Sequence, residues 1–343
     1  MEKILILTPG FPIDEQDDVC IPFLQDYVLA LEEKIGKENI HVISFQYPFD
    51  KGEYLWNGIK IYSAGGNNRK GILKLITWNR VMRKAKEWIQ PGKTILHIFW
   101  LNETTLIGAK LSKKYDCKII ATIMGQDILA ENNYLNKIPL NTIHVVAPNT
   151  KAAETFKKNT GNNVQAIIRP GVKNISAIQQ ERNIDLLFVG AFIALKQPEI
   201  CIEIVNQLNK EFPNLNCKMI GDGILQEKCI ATSQNLEIKN IQFTGKLDRK
   251  KIFEYMQQSK VLVHTSYYEG HATVFEEAIA SGMQVVCFDV GRPEHHAVHV
   301  CAEKKEMCCT ISHLLKKDYN NNQLTSYSIT QTVEFYQQLY TTH

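Results

Sequence analysis

The chain has 343 residues, with 39 Lys and Arg against 36 Asp and Glu and a formal net charge of +3. This length suggests about two domains, and a hydrophobic fraction of 44% with a charged fraction of 22% is globular, which excludes wholesale disorder. The near-balanced charge excludes a protein that acts mainly by wrapping nucleic acid, because phosphate-driven binding needs a strongly basic surface.

Short apolar runs bounded by turn residues recur along the chain and predict strands buried in parallel sheets. In chain order they lie at residues 4–7, 95–98, 119–122, 144–147, 186–189, 217–220, 261–264 and 284–288. Helical patterns lie between them at residues 23–33, 104–114, 198–208 and 273–281. Alternating strands and helices indicate an α/β protein built from βαβ units.

A polar segment at residues 173–183, rich in Gln and Asn, is the candidate linker between two domains. We predict a Rossmann-like N-terminal domain over residues 1–175 and a Rossmann-like C-terminal domain over residues 184–326. The first range carries 23 Lys and Arg against 17 Asp and Glu, whereas the rest of the chain carries 16 against 19. After an Asn-rich turn at 320–322, residues 327–343 have helical spacing and are expected to pack back on the first domain.

The compartment is predicted from the cysteines and the apolar runs. The nine cysteines are scattered and never spaced C-x-x-C, which favours reduced thiols in a cytoplasmic protein. The first apolar run is too short for a signal peptide, because Thr8-Pro9-Gly10 interrupts it. Nothing approaches the ~20 apolar residues needed to span a bilayer.

The loop and helix after the strand at 261–264 are the most informative segment. Ligands of open α/β sheets bind beyond the carboxyl ends of the strands, and here Glu269 lies in the loop and Glu277 on the helix. The helix start offers N–H groups and a positive dipole end to an anion. Carboxylates beside an anion site suit a phosphate flanked by hydroxyl-bearing rings, as in a nucleotide sugar. Alternatively, both are solvated helix-end charges. Thr273 and Glu276 have the spacing of a capping box.

Glu269 and Glu277, followed by Ala278 and Ser281-Gly282, resemble the E-x7-E motif of retaining glycosyltransferases of family 4, which have the GT-B fold. Further matching motifs, in order, are Gly10-Phe11-Pro12, Gly125-Gln126-Asp127, Phe188-Val189-Gly190 with Lys196, Ile220-Gly221-Asp222-Gly223 and Phe243-Thr244-Gly245. The resemblance covers nearly the whole chain. It implies two Rossmann-like domains facing a central cleft, with the C-terminal helix packing back on the first.

The resemblance also implies roles for the matched residues. Glu277 would bind the donor ribose, Glu269 the hydroxyls of the transferred sugar, and Lys196 the diphosphate, where its ammonium offsets charge on the leaving group. The other donor-binding candidates are Gly190, Gly221, Gly223, Gly270 and the backbone N–H groups of Ala272 and Thr273. The catalytic candidates are Glu269, His271 and Asp127, and the acceptor-side candidates are Gly10 and Phe11. His271 and Asp127 each have an equal alternative, as a plain loop residue and as the N-cap of residues 128–131.

The implied reaction moves a hexose from a nucleoside-diphosphate sugar to a glycan or lipid-linked acceptor with retention, in bacterial surface polysaccharide or glycolipid synthesis, and needs no metal or cofactor. Departures from the family leave alternatives open. Ala191 and Phe192 stand where the family often has Arg, and Met124 replaces its His. A nucleotide-sugar 2-epimerase and a catalytically inactive nucleotide-sugar-binding subunit are the rivals. An NAD-dependent dehydrogenase is not expected, because the loop after the first strand lacks the G-x-G-x-x-G that binds a dinucleotide.

Two clusters of residues have the composition of a partner-binding surface or of a metal site. Residues 69–93 carry eight Lys and Arg against Glu87 alone, with apolar residues at helical spacing. This basic amphipathic pattern fits equally an ordinary helix covering a sheet and attachment to an anionic membrane, peripherally at its inner face. His and Cys residues at 295–309 lack the spacing of a structural zinc site, so we predict no metal and assign the thiols to a core-facing helix.

Overall fold

The structure, a computed structural model, describes residues 2–173, 181–317, 324 and 326–342. The chain divides into two compact units, one made of Met1–Gly171 with Ile329–His343 and the other of Val172–Ser328. Residues 174–180 of the predicted linker and the Asn-rich turn at 320–322 lie outside the described residues.

The first unit contains an eight-stranded sheet and its helices. The strands are β1 (Lys3–Gly10), β2 (Ile40–Tyr47), β3 (Gly52–Trp56), β4 (Ile59–Ser63), β5 (Thr94–Phe99), β6 (Ile119–Thr122), β7 (His144–Ala147) and β8 (Ala166–Ile167). The helices are α1 (Pro22–Ile35), α2 (Lys74–Trp88), α3 (Glu103–Tyr115), α4 (Thr150–Thr160) and α10 (Ile329–Thr341). The strand order is β3-β4-β2-β1-β5-β6-β7-β8, and β3 pairs antiparallel with β4 while the other pairs are parallel.

The second unit is a parallel six-stranded sheet with order β11-β10-β9-β12-β13-β14. Its strands are β9 (Ile184–Val189), β10 (Cys217–Ile220), β11 (Ile241–Gly245), β12 (Ser259–His264), β13 (Gln284–Phe288) and β14 (Val298–Cys301). Its helices are α5 (Pro198–Leu208), α6 (Gln226–Asn235), α7 (Arg249–Gln257), α8 (Thr273–Ala280) and α9 (Lys304–Leu315). The predicted α/β class is confirmed in both units.

Two of the strands that the apolar runs do not predict, β2 and β3, have mixed polarity. β2 contains His41, Ser44 and Gln46 among its apolar residues, and β3 is mostly exposed. Because neither is a continuous apolar run, neither has the pattern of a strand buried on both faces. Cys301 is another correction, since it ends strand β14 and does not lie on a helix. Cys308, on α9, does face the core as expected.

The returning helix packs on the first unit, as predicted. α10 lies against α1 and buries Val333, Tyr336 and Tyr340 in the same apolar cluster as residues of β1 and β5. The Tyr340 hydroxyl lies 2.5 Å from the Tyr27 hydroxyl and 2.6 Å from Nδ1 of His97, which is fully buried. A buried polar group is tolerated only when it is hydrogen-bonded, so these bonds specify how α10 docks.

Candidate functional site

The strand order of the second unit reverses between β9 and β12. From β9 the chain moves outward through β10 to β11, and from β12 it moves the other way through β13 to β14. Loops leaving two such strands diverge and open a crevice at their carboxyl ends, where ligands of doubly wound sheets bind. Lys196 follows β9 and Glu269 follows β12. The topology therefore brings together two residues that the sequence singled out separately.

At this crevice Glu269 forms an ion pair with one side chain and a hydrogen bond with a second side chain that is neutral. Its Oε1 pairs with Nζ of Lys196 and lies 3.1 Å from Nε2 of His264. Burial alone raises the pKa of Glu269, but the His264 hydrogen bond and the Lys196 ammonium outweigh it and lower that pKa to about 2. Burial in turn lowers the pKa of His264. A neutral His264 must carry its proton on Nε2, because a carboxylate only accepts.

Backbone contacts hold the two loops together. The Thr265 hydroxyl, just after β12, donates to the carbonyl oxygens of Lys196 at 2.8 Å and Gln197 at 2.9 Å. The Tyr267 N–H donates to the Leu195 carbonyl at 3.2 Å. Since these bonds join the turn that carries Lys196 to the loop that carries Glu269, the ion pair is built on a fixed frame.

A third loop, after β13, supports Glu269 through Gly291, which sequence reasoning missed. The Gly291 N–H donates to the Glu269 carbonyl at 3.0 Å, and the Gly291 carbonyl accepts from the Ala272 N–H at 3.1 Å. A Cβ at position 291 would lie 2.2 Å from the Gly270 oxygen and 2.4 Å from the Glu269 oxygen, so only glycine allows this approach. The Ala272 N–H is thus engaged, which corrects its predicted use as a phosphate donor.

The start of α8 differs from the predicted capping box. Ala272 is the N-cap, Thr273 is the first helical residue, and no described side chain caps this helix start. Glu276 is therefore one position too deep in the helix to close a box, and it is fully buried. Nε2 of His271 lies 3.9 Å from Oε1 of Glu276, so the His271 ring faces the interior in this structure.

Glu277, one turn into α8, is held from the neighbouring helix. Nη2 of Arg249, the first residue of α7, lies 3.0 Å from Oε1 of Glu277. The guanidinium also lies over the Phe253 ring, 5.3 Å from its centroid. No local sequence pattern marks Arg249, because the contact joins residues 28 positions apart on two helices.

Two of the predicted donor-binding glycines have backbones that require glycine. Gly221 has φ +133 and Gly223 has φ +147, and L side chains rarely adopt these values. An added Cβ would lie 2.0 Å from the Gly190 oxygen at position 221 and 2.6 Å from the Phe192 oxygen at position 223. Gly190 itself would tolerate a Cβ, whose nearest neighbour would lie at 3.6 Å. The loop after β10 therefore packs directly on the loop after β9.

The candidates of the first unit, Gly10, Phe11 and Asp127, lie at or after the ends of strands β1 and β6 and are buried. Gly10 ends β1, and a Cβ there would make ordinary contacts. Phe11, the second acceptor-side candidate, is fully buried and packs edge-on against Trp56, with ring centroids 5.0 Å apart. Its side chain belongs to the core below that loop.

Asp127 is buried in the loop after β6. Its carboxylate accepts from the backbone N–H groups of Leu101 at 2.8 Å, Met124 at 3.1 Å and Gly125 at 2.6 Å. Burial raises the pKa of Asp127 against the effect of these bonds. Two of these donors precede it in the loop after β6 and one lies in the loop after β5, so the N-cap of residues 128–131 was the wrong alternative. The observed contacts are those of an anchor between two loops.

No group of three or more His, Cys, Asp or Glu residues in the described ranges is arranged to hold a metal ion. His295 and His296 stack on each other with ring centroids 4.3 Å apart. The Nε2 atom of His299 lies 2.7 Å from the Gln284 side-chain oxygen.

Comparison with known proteins identifies the fold and the second unit. Residues 172–302 match the family model described as glycosyl transferases group 1. No curated protein sequence matches the chain. Among solved structures, HepE of Anabaena in complex with UDP is 15% identical with a TM-score of 0.67, over 98% of this chain and 95% of that one. The lipopolysaccharide outer core galactosyltransferase WaaB is 16% identical with a TM-score of 0.69, over 97% and 94%.

The pneumococcal O-GlcNAc transferase GtfA, in complex with UDP and GlcNAc, is 13% identical with a TM-score of 0.59 over 76% of this chain, which covers 59% of GtfA. The chain thus spans about three fifths of that relative's length. Together these matches show that the fold is GT-B, as predicted, and that residues 172–302 form a group 1 glycosyltransferase domain.

Proposed function

We propose that this GT-B chain, with its group 1 glycosyltransferase domain, transfers a hexose from a nucleoside-diphosphate sugar to a glycan or lipid-linked acceptor with retention of configuration. The observation that carries the proposal is the site of the second unit, where Glu269 and Glu277 lie on either side of the start of α8 and each is paired with a cation. Such a site offers acceptors to sugar hydroxyls and donors to phosphates.

Each group of the site has a part in binding the donor. Because the pKa of Glu269 is about 2, its carboxylate is ionised at neutral pH and accepts hydrogen bonds from hydroxyls of the transferred sugar. Lys196 has three N–H donors and pairs with Glu269, so it can also bind a phosphate oxygen. The N–H groups of Thr273 and Val274, at the start of α8, complete an anion site.

The reaction breaks the bond between the anomeric carbon and the leaving phosphate oxygen and forms a bond to the acceptor hydroxyl on the same face. The acceptor proton passes to the leaving phosphate oxygen, which Lys196 and the helix N-terminus stabilise as charge develops. Glu269 is not the proton donor, because a group with its pKa holds no proton at neutral pH. The reaction as proposed requires no metal ion.

The neighbours suggest the class of donor and acceptor. HepE and GtfA were solved with UDP, and WaaB is a galactosyltransferase of the lipopolysaccharide outer core. We extend a UDP-sugar donor and a glycan or lipid-linked acceptor to this chain, with a role in bacterial surface polysaccharide or glycolipid synthesis, in the cytoplasm.

Thermal unfolding with UDP-, GDP- and dTDP-hexoses tests the donor, since a ligand that binds only the folded state raises the melting temperature.

Glu277→Ala should lower donor turnover about 100-fold and leave the circular dichroism spectrum unchanged. Unchanged turnover contradicts the assignment of Glu277 to the donor site.

Incubation with donor alone separates a glycosyltransferase from a nucleotide-sugar 2-epimerase, because a 2-epimerase converts the sugar without an acceptor. An inactive subunit binds nucleotide and transfers to no acceptor in a wide panel.

We also propose that the N-terminal end of α2 and the helical turn just before it, Gly71–Leu73, bind an anionic membrane. Four apolar side chains are exposed there beside exposed Lys70, and they are Ile72 at 79%, Leu73 at 49%, Leu75 at 47% and Ile76 at 43%. Apolar residues flanked by basic ones bind the interface of an anionic bilayer. Lys84, in contrast, is buried and paired with Glu53 and Glu87, so it takes no part.

Vesicles containing phosphatidylglycerol test this surface by sedimentation. The described ranges hold no helix with the length and apolarity to cross a bilayer, so binding should be interfacial and should weaken with salt. Replacing Ile72 and Ile76 together by Ser should weaken binding about tenfold or more. Phe335→Ser removes an apolar side chain on α10 that is 48% exposed, and it should not weaken binding. Equal loss in both variants contradicts the proposal.

A further inference from the structure

The first turn of α7 is unusual for a helix start. It carries Arg249, Lys250 and Lys251 and no acidic residue, although cations are unfavourable at the positive end of a helix dipole. The Asp248 side chain caps the helix by accepting from the Lys251 N–H at 2.7 Å. Because this helix is otherwise well capped, the departure from the usual charge preference at a helix start indicates that these residues have a function.

Of these three residues, Arg249 contacts a predicted site residue. Its guanidinium bridges α7 to α8 through the 3.0 Å contact with Glu277. The two side chains are 19% and 14% exposed, and the Phe253 ring lies under the guanidinium. A planar guanidinium fixed by a ring and a carboxylate has little freedom, so it holds the carboxylate in one orientation. By comparison, Lys251 is half exposed and pairs with Glu254 on its own helix.

We propose that Arg249 is a positioning residue that orients Glu277 to bind both ribose hydroxyls of the donor nucleotide, and so sets the preference for a ribonucleotide. The inference rests on the proposed function, which places the ribose at Glu277. A carboxylate has about four lone-pair sites, and one guanidinium N–H occupies one of them. Two hydroxyls can bind together only if the carboxylate plane is fixed, since a rotating carboxylate meets one hydroxyl at a time.

The experiment compares the binding of UDP and 2′,3′-dideoxyuridine diphosphate by calorimetry in the full chain. The wild type should prefer UDP, because a partly buried carboxylate left without its hydroxyl partners loses binding energy. Arg249→Ala should bind UDP about tenfold more weakly and bind the dideoxy analogue nearly as before. Arg249→Lys should recover part of the preference, because it keeps the charge but not the planar fork. Lys251→Ala, the matched control, should behave as wild type.

Double substitution shows whether Arg249 acts through Glu277. Adding Arg249→Ala to Glu277→Ala should weaken UDP binding no further, since the group it positions is already gone. A merely structural Arg249 would weaken binding of both nucleotides equally and add its effect to Glu277→Ala. If the wild type prefers UDP and Arg249→Ala keeps the same preference, this inference alone is overturned. Wild type that binds no nucleoside diphosphate overturns the proposed function as well.

Discussion

The ring of His264 lies at right angles to the ring of Phe275, with centroids 4.7 Å apart, while its Nε2 atom lies 3.1 Å from the Glu269 carboxylate. A strand-end histidine in an apolar wall thus donates to the acid that we assign to the sugar. Because it is buried and neutral, it supplies a hydrogen bond without adding positive charge.

His264→Phe should therefore lower kcat/KM about tenfold or more, since a hydrogen bond to a charged group is removed. His264→Gln should keep most of the activity, because an amide N–H can donate to the same oxygen. Steady-state kinetics with the donor identified by thermal shift measures both. Equal loss in the two variants, with wild-type circular dichroism, would mean that packing and not the hydrogen bond matters.

Gly291→Ala should lower donor turnover about 100-fold, because displacing a reacting group by about 1 Å has an effect of this size. The added methyl group would meet backbone oxygens of Glu269 and Gly270, which cannot rotate away as a side chain could. Gly52→Ala is the matched control, since nothing lies within 4 Å of a Cβ at that position. Full activity of Gly291→Ala would show that the loop after β13 does not position Glu269.

Tyr340→Phe should lower the free energy of unfolding of the first unit by about 1–3 kcal/mol, because it removes the bonding partner of Tyr27 and His97 in a buried site. The four tryptophans all lie within residues 1–171, so fluorescence during urea unfolding follows this unit alone. Gln338→Ala, on the exposed side of α10, serves as control. If Tyr340→Phe lowers the free energy of unfolding no more than Gln338→Ala does, the proposed role of Tyr340 is contradicted.

Acid should destabilise the first unit through His97. Burial lowers the pKa of His97 to about 3, whereas an unfolded His titrates near 6.5. The unfolded state binds the extra proton between these values, so the stability that neutral His97 contributes is complete above pH 6.5 and is lost as the pH falls toward 3. Between pH 7.5 and 5, wild type should lose about 2 kcal/mol more than His97→Asn. An equal loss would assign the acid sensitivity to other groups.

Most of the fold was predictable from continuous apolar runs in the sequence. Each of the eight predicted strands is present, because a strand buried on both faces must be apolar throughout. β14 was not predicted because His299 interrupts its apolar run, and the hairpin of β3 and β4 was not predicted because β3 is largely exposed.

The site was predictable only as far as a residue's role follows from its neighbours in sequence. Glu269 and Glu277 have a motif, but Arg249 and Gly291 meet them through helix packing and loop contact, which no local pattern shows. Phe11 matched a motif, yet its ring belongs to the core. The Ala272 N–H was assigned to phosphate because its bond to the loop after β13 was invisible in the sequence.

The docking of α10 bears on how the chain is made. The ribosome completes residues 172–328 before it adds the helix that buries Val333, Tyr336 and Tyr340 against the sheet built by the opening residues. Of the two units, the one whose strands are synthesised first is thus completed last, and its apolar face stays uncovered until α10 is made. A chaperone that shields nascent chains would find its substrate in this interval.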